Sequence, residues 1–67
     1  MKLSEIKRAV KHGVTVHYMT DNIVVHEKNG EFFTRNTRSG YVDELTFSDN
    51  ITLKGHADWY YIKPEQL

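Results

Sequence analysis

Four histidines, His12, His17, His26 and His56, are the nitrogen ligands this sequence offers a metal, and it has no cysteine. A two-residue turn at Asp21-Asn22 would set His17 beside His26 on neighbouring strands. Zinc needs one or two ligands beyond two imidazoles, and the nearest carboxylate, Glu27, faces away in that register. No metal and no cofactor are therefore expected. Acid–base chemistry fares no better. Asp43 and Glu44 are adjacent in a strand-like stretch, so they project to opposite faces and do not form a catalytic pair. The sequence contains no phosphate-cradling glycine loop, no H-E-x-x-H and no G-x-S-x-G elbow. No catalytic residue is assigned and the expectation is a non-enzyme, since so short a chain struggles to enclose a water-excluded pocket.

Binding residues are easier to find. Arg35, Arg38 and Tyr41 bracket the loop Thr37–Gly40. Cations and an aromatic ring beside a glycine-containing loop suit a small nucleotide, a nucleic acid or a protein carboxylate. Turn composition alone also accounts for Ser39 and Gly40. A second group, Met19, Val24 and Phe33, is expected on one sheet face. Trp59, Tyr60, Tyr61 and Ile62 alternate sides along a closing strand, which leaves at least one aromatic exposed, and Trp59 is taken as a contact residue.

The elements that must position these residues follow from periodicity. Leu3, Ile6 and Val10, with Ala9 beside them, form one apolar stripe of a short helix. Ser4 is the expected N-cap, Glu5 follows in the first turn, and Gly13 fits the position just past the end. From Val14 the period becomes two. Val14, Val16 and Tyr18 face one way, and Thr15, His17 and Met19 the other. Thr20-Asp21-Asn22 signals a turn, and Ile23 to Lys28 the next strand. Asn29-Gly30 is a type I′ hairpin turn, because both residues tolerate positive φ. It sets Lys28 against Glu31, His26 against Phe33 and Val24 against Arg35. With the Asp21-Asn22 turn, Tyr18 would face Val25 and His17 would face His26.

The expected core face carries Val14, Val16, Tyr18, Ile23, Val25 and Phe32 beneath the helix. The opposite face, with Met19, Val24, Phe33 and Arg35, is too apolar for ordinary solvation. Tyr41 to Phe47 is a fourth strand with Tyr41, Leu45 and Phe47 on one side, and Ser48-Asp49-Asn50 is a turn. Ile51–Lys54 is extended, Gly55–Asp58 is a loop, and Pro64 ends the Trp59–Ile62 strand. The fold class is α+β: a short N-terminal helix packed on a small antiparallel β-meander or barrel-like sheet of five to six strands. A sheet apolar on both faces hides the second by curling into a barrel, by receiving the C-terminal strands, or by forming a homodimer.

Composition narrows the setting. The 67 residues make a single domain, 1–67, with 9 Lys+Arg against 9 Asp+Glu. The zero net charge hides an uneven distribution: residues 1–12 carry +3 and residues 41–67 carry −3. A neutral total disfavours non-specific nucleic-acid binding, which rests on phosphate neutralisation. No apolar run nears the roughly 20 residues of a membrane span, so no membrane association is expected. Met1 to Lys11 lacks the apolar run of a signal peptide, and the missing cysteines favour the cytoplasm.

The order of features resembles a group of small, mostly uncharacterised bacteriophage accessory proteins. The resembling pieces are Ile6-Lys7, Ala9-Val10-Lys11 and Gly13, then Thr15-Val16 and Gly30-Glu31-Phe32. They continue with Tyr41, Leu45-Thr46, Thr52-Leu53, Gly55 and Asp58-Trp59-Tyr60, so nearly the whole chain is covered. The resemblance implies an accessory protein acting in the host cytoplasm, with no ligand or functional residue attached. The expected function is a non-enzymatic binding protein that modulates a host or defence component, by occupying a protein or by sequestering a small nucleotide. The alternatives are a nucleic-acid-binding small barrel using Lys7, Arg8, Lys11, Arg35 and Arg38, and a minor structural component of the virion.

Overall fold

The structure is a computed structural model that describes residues 1–66. Helix α1 spans Leu3–Lys11, and the strands are β1 His17–Tyr18, β2 Thr20–Lys28, β3 Glu31–Asn36, β4 Val42–Glu44 and β5 Tyr60–Tyr61. They form one antiparallel sheet in the order β4-β3-β2-β1-β5. Two short 3-10 turns, Ala57–Trp59 and Pro64–Gln66, flank the last strand.

The helix starts two residues earlier than its composition indicates. Lys2, not Ser4, is the N-cap, and its N–H donates to Glu5 Oε1 at 2.8 Å. Glu5 thus supplies a first-turn acceptor that Ser4 was expected to provide. At the other end Gly13, at φ +80°, donates to the Val10 carbonyl while Val14 donates to Ala9. That pair of bonds is the Schellman arrangement, which needs a left-handed residue and so selects glycine.

The central hairpin has the expected register: Lys28 pairs with Glu31, His26 with Phe33 and Val24 with Arg35. Asn29 and Gly30 have φ of +55° and +83°, as a type I′ turn requires. The first reversal differs. The chain turns at Met19, at φ +62°, with Tyr18 opposite Thr20 and His17 opposite Val24 across a bulge. Asp21 and Asn22 are therefore strand residues rather than a turn, and the expected pairs Tyr18–Val25 and His17–His26 do not form. Long-range partners explain the change. The Asn22 carbonyl accepts from the Thr37 N–H and hydroxyl, and the Asp21 carboxylate accepts from the Tyr61 hydroxyl and pairs with Lys63. These bonds hold an extended backbone that local turn chemistry does not specify.

The core lies on one face. Ile6, Val16, Val25, Leu45 and Tyr60 are buried, with Leu3, Ala9, Val10, Tyr18, Phe32, Leu53 and Ile62 packed around them. Val14 and Ile23, expected in this core, are half-buried and lie outside the cluster. The expected Tyr41–Phe47 strand shortens to Val42–Glu44, after which the chain folds back through the bridge Thr46–Leu53. That reversal buries Leu45 but leaves Phe47 52% exposed, and Tyr41 also faces solvent. Asp49 stabilises it by accepting from the N–H groups of Ile51 and Thr52 and from the Thr52 hydroxyl. Trp59 belongs to the 3-10 turn rather than to the closing strand, and Tyr60 begins the strand.

The sheet is open. The last strand joins β1 at the edge, so the sheet neither closes into a barrel nor folds back over its second face. Among the described residues, no helix is long and apolar enough to cross a membrane.

Two glycines separate backbone strain from packing. A Cβ at Gly30 meets nothing, so Gly30→Val should lose about 1–3 kcal/mol through φ alone. A Cβ at Gly55, φ +81°, overlaps the Tyr18 hydroxyl. Gly55→Ala should therefore cost more than Gly30→Ala, because Tyr18 must leave its contact with Tyr60. Urea unfolding of the two alanine variants tests this; equal losses would show that Tyr18 is not held in place.

Candidate functional site

Strand alternation assigns every residue of the second face. The paired residues Tyr61, His17, Val24, Arg35 and Val42 form one row across all five strands. His26, Phe33 and Glu44 form the next row. None of these belongs to the core cluster, which is drawn from the opposite face. The His26 and Phe33 rings stack at 5.5 Å between centroids. Arg35, His26 and Glu44 are exposed, and Val24 and Phe33 are half-buried. Of the residues expected to bind, Val24, Phe33 and Arg35 are thus brought together on one surface.

Met19 stands apart from them. It sits at the β1–β2 reversal, where its N–H donates to the Trp59 carbonyl at 2.9 Å. Met19 is 55% exposed and Trp59 49% exposed. With Asp58 and Tyr61 they line a shallow groove of about 420 Å3 at the β5 edge. The Trp59 ring leans on Tyr18 and on His56, at 6.2 and 5.8 Å between centroids. Trp59 is therefore supported from beneath and bare on its outer side.

The loop constellation is divided. Asn36 donates to the Tyr41 carbonyl, so Tyr41 lies opposite Asn36 and leaves the face that Arg35 does not. Arg38 lies in the turn itself, where Asn36 Oδ1 accepts from the N–H groups of Arg38 and Ser39. Gly40, at φ +78°, closes this turn onto the Asn36 carbonyl. The hairpin's own hydrogen bonds account for Asn36, Ser39 and Gly40, and Arg35 and Tyr41 do not share a surface.

One cluster near the edge has no counterpart in the sequence reading. His17 is buried, stacked on Tyr61 at 5.4 Å, with Nδ1 3.0 Å from the Asp21 carbonyl oxygen. That contact requires the proton on Nδ1. The Tyr61 hydroxyl donates to the Asp21 carboxylate, and Lys63 Nζ lies 2.8 Å from it. The Lys63 and Tyr61 hydrogen bonds hold the Asp21 carboxyl below its ordinary value, and the same contacts raise Lys63 and Tyr61. Tyr61 is separated from Asp21 by 40 residues, so no local pattern could pair them. Alternation from a buried Tyr60 was the one available signal that Tyr61 faces the other way. On the core side, burial pushes the Tyr60 phenol up to about 12, and its hydroxyl donates to the Lys54 carbonyl at 2.7 Å.

The described residues contain no group of three His, Asp or Glu side chains placed to hold a metal ion. No family model, curated protein or solved structure matches this chain.

The Asp21 cluster sets a pH dependence. A carboxyl depressed by folding contributes stability above its unfolded pKa, near 3.8, and loses it as pH falls through the lower folded value. Lys63 acts at the other end: its raised pKa contributes below 10.5 and is lost as pH rises through the folded value. Asp21→Asn should lower stability at pH 7 and flatten the loss as pH falls below the ordinary carboxyl value of 3.8. Some acid slope should remain, because Thr52 holds Asp49 low in the same way. Superimposable urea midpoints for both proteins across that range would show that the cluster is inert.

Proposed function

We propose that this chain is a small non-enzymatic binding protein of the phage accessory type. It acts in the cytoplasm by occupying a host or defence protein, and the contact is the edge formed by Met19 and Trp59. One observation carries the reading: a methionine is held at φ +62° with more than half its surface in solvent, beside a half-exposed tryptophan. A left-handed conformation costs a non-glycine residue about 1–2 kcal/mol. The Met19 side chain gains little burial within the fold to offset that cost. Strain of this kind clusters at sites where a side chain meets a ligand or a partner.

The residue types suit a protein partner. Tryptophan is enriched among the few side chains that dominate interface energies. Methionine is flexible and adapts to an irregular apolar recess. Asp58 puts a carboxylate beside the pair, so the matching surface is an apolar recess with a basic group on its rim. A nucleic acid is disfavoured by that carboxylate and by the neutral net charge.

Capture from host lysate, quantified by mass spectrometry, tests the reading by comparison between variants. A partner should be retained by wild type and by Glu27→Gln, and lost with Met19→Gly and with Trp59→Ala. Met19→Gly should meanwhile keep or gain stability by up to about 1 kcal/mol, since relief of strain exceeds the added freedom of the unfolded chain. Identical capture by all four proteins would overturn the assignment of this edge. A bound species lost steeply as salt rises would point to nucleic acid instead.

A further inference from the structure

We infer that the outer face of the sheet pairs with the same face of a second copy, giving a two-fold homodimer. This surface is separate from the Met19–Trp59 edge and uses neither residue. The helix and the residues 45–54 supply their buried side chains to the other face, as the core cluster shows. The outer face keeps Val24, Phe33 and Val42 in its middle strands, with Val42 52% exposed.

Charge complementarity selects the occupant. Arg35 pairs with Val42, and Phe33 pairs with Glu44. Arg35 and Glu44 are thus diagonal corners of a quartet whose other corners are apolar. Among the described residues, neither corner takes part in an ion pair. Strands lie about 4.8 Å apart, and side chains on one face repeat every ~6.8 Å along a strand. A two-fold axis lying in the interface, through the centre of the quartet and perpendicular to the Arg35–Glu44 diagonal, sets Arg35 of each copy on Glu44 of the other. The same axis brings Phe33 and Val42 close to their own counterparts. The pattern is self-complementary, as an isologous contact requires. Lys28 and Glu31, one residue pair further along the same face, continue the alternation of sign. A nucleic acid would need one sign, whereas this face is balanced.

The area is that of a small interface. The outward positions on β2, β3 and β4 are Val24, His26, Lys28, Glu31, Phe33, Arg35, Val42 and Glu44, each filling about 33 Å2 of sheet. The projected face is then roughly 260 Å2 per copy before side-chain relief is added, below the 600–1,000 Å2 or so per partner of an ordinary specific interface, so the dimer is a weak one that forms at high concentration. The chain is electrically neutral, so no net repulsion opposes pairing.

Light scattering at about 100 µM tests the inference, with circular dichroism to confirm folding. Wild type should show about twice the 7.9 kDa chain mass. Arg35→Glu and Glu44→Arg should each raise the dimer dissociation constant at least tenfold, because each sets like charges across the axis twice. The double variant should restore the dimer. Val42→Asp, at an exposed edge position, should also give a folded monomer and serves if a charge swap fails to fold. A wild-type mass of one chain would overturn the inference. So would a dimer indifferent to Val42→Asp and both charge swaps, or a folded double variant that stays monomeric.

Discussion

The structure depends on five buried side chains, each from a different segment: Ile6 of α1, Val16 before β1, Val25 of β2, Leu45 after β4 and Tyr60 of β5. Among the described residues, no segment contributes a second buried apolar residue. Each element is therefore anchored at one point, and the remaining constraints must come from hydrogen bonds at the periphery. The Tyr60 hydroxyl on the Lys54 carbonyl ties the last strand to the returning loop. The N-terminal ammonium on the Ala57 carbonyl ties the start of the helix to the turn before that strand. A core this small leaves little reserve, so the placement of single residues matters more than total apolar content.

One-sided burial has a direct consequence for the second face. A five-stranded sheet with its helix on one side exposes a whole row of alternate side chains on the other. The chain manages part of that face itself. Tyr61, Asp21 and Lys63 close over His17, which becomes buried without any help from the helix. The middle strands receive no such cover. The edges are protected differently. Glu44 donates its N–H to the Asp43 side chain, which occupies a backbone group at the exposed β4 edge. The Lys54–Asp43 pair holds that carboxylate in place at 3.0 Å. Such blunting discourages strand-to-strand addition at β4.

The proposed contact edge and the backbone strain coincide at Met19. A reversal built on Asp21-Asn22 would have used residues suited to a turn. The fold instead reverses at a methionine and spends both polar residues on long-range bonds to Thr37, Tyr61 and Lys63. The strain at Met19 and the cover over His17 are thus two results of one shift in register.

The sequence by itself determined what adjacent residues can enforce. The apolar stripe of α1, the left-handed stop at Gly13, the Asn29-Gly30 turn and the β2–β3 register all follow from spacing and φ preference. So does the grouping of Val24, Phe33 and Arg35, because one turn and strict alternation suffice to place them. Only the tertiary structure decided where β1 pairs, that Tyr61 rather than His26 lies against His17, and that Met19 joins Trp59 instead of Val24 and Phe33. It also decided that Tyr41 and Phe47 stay in solvent while Leu45 between them is buried. These outcomes rest on contacts between residues up to 44 positions apart, His17 and Tyr61. Their free energy comes from pairing polar groups distant in sequence and filling one small core, and neither is encoded in any short window of the chain.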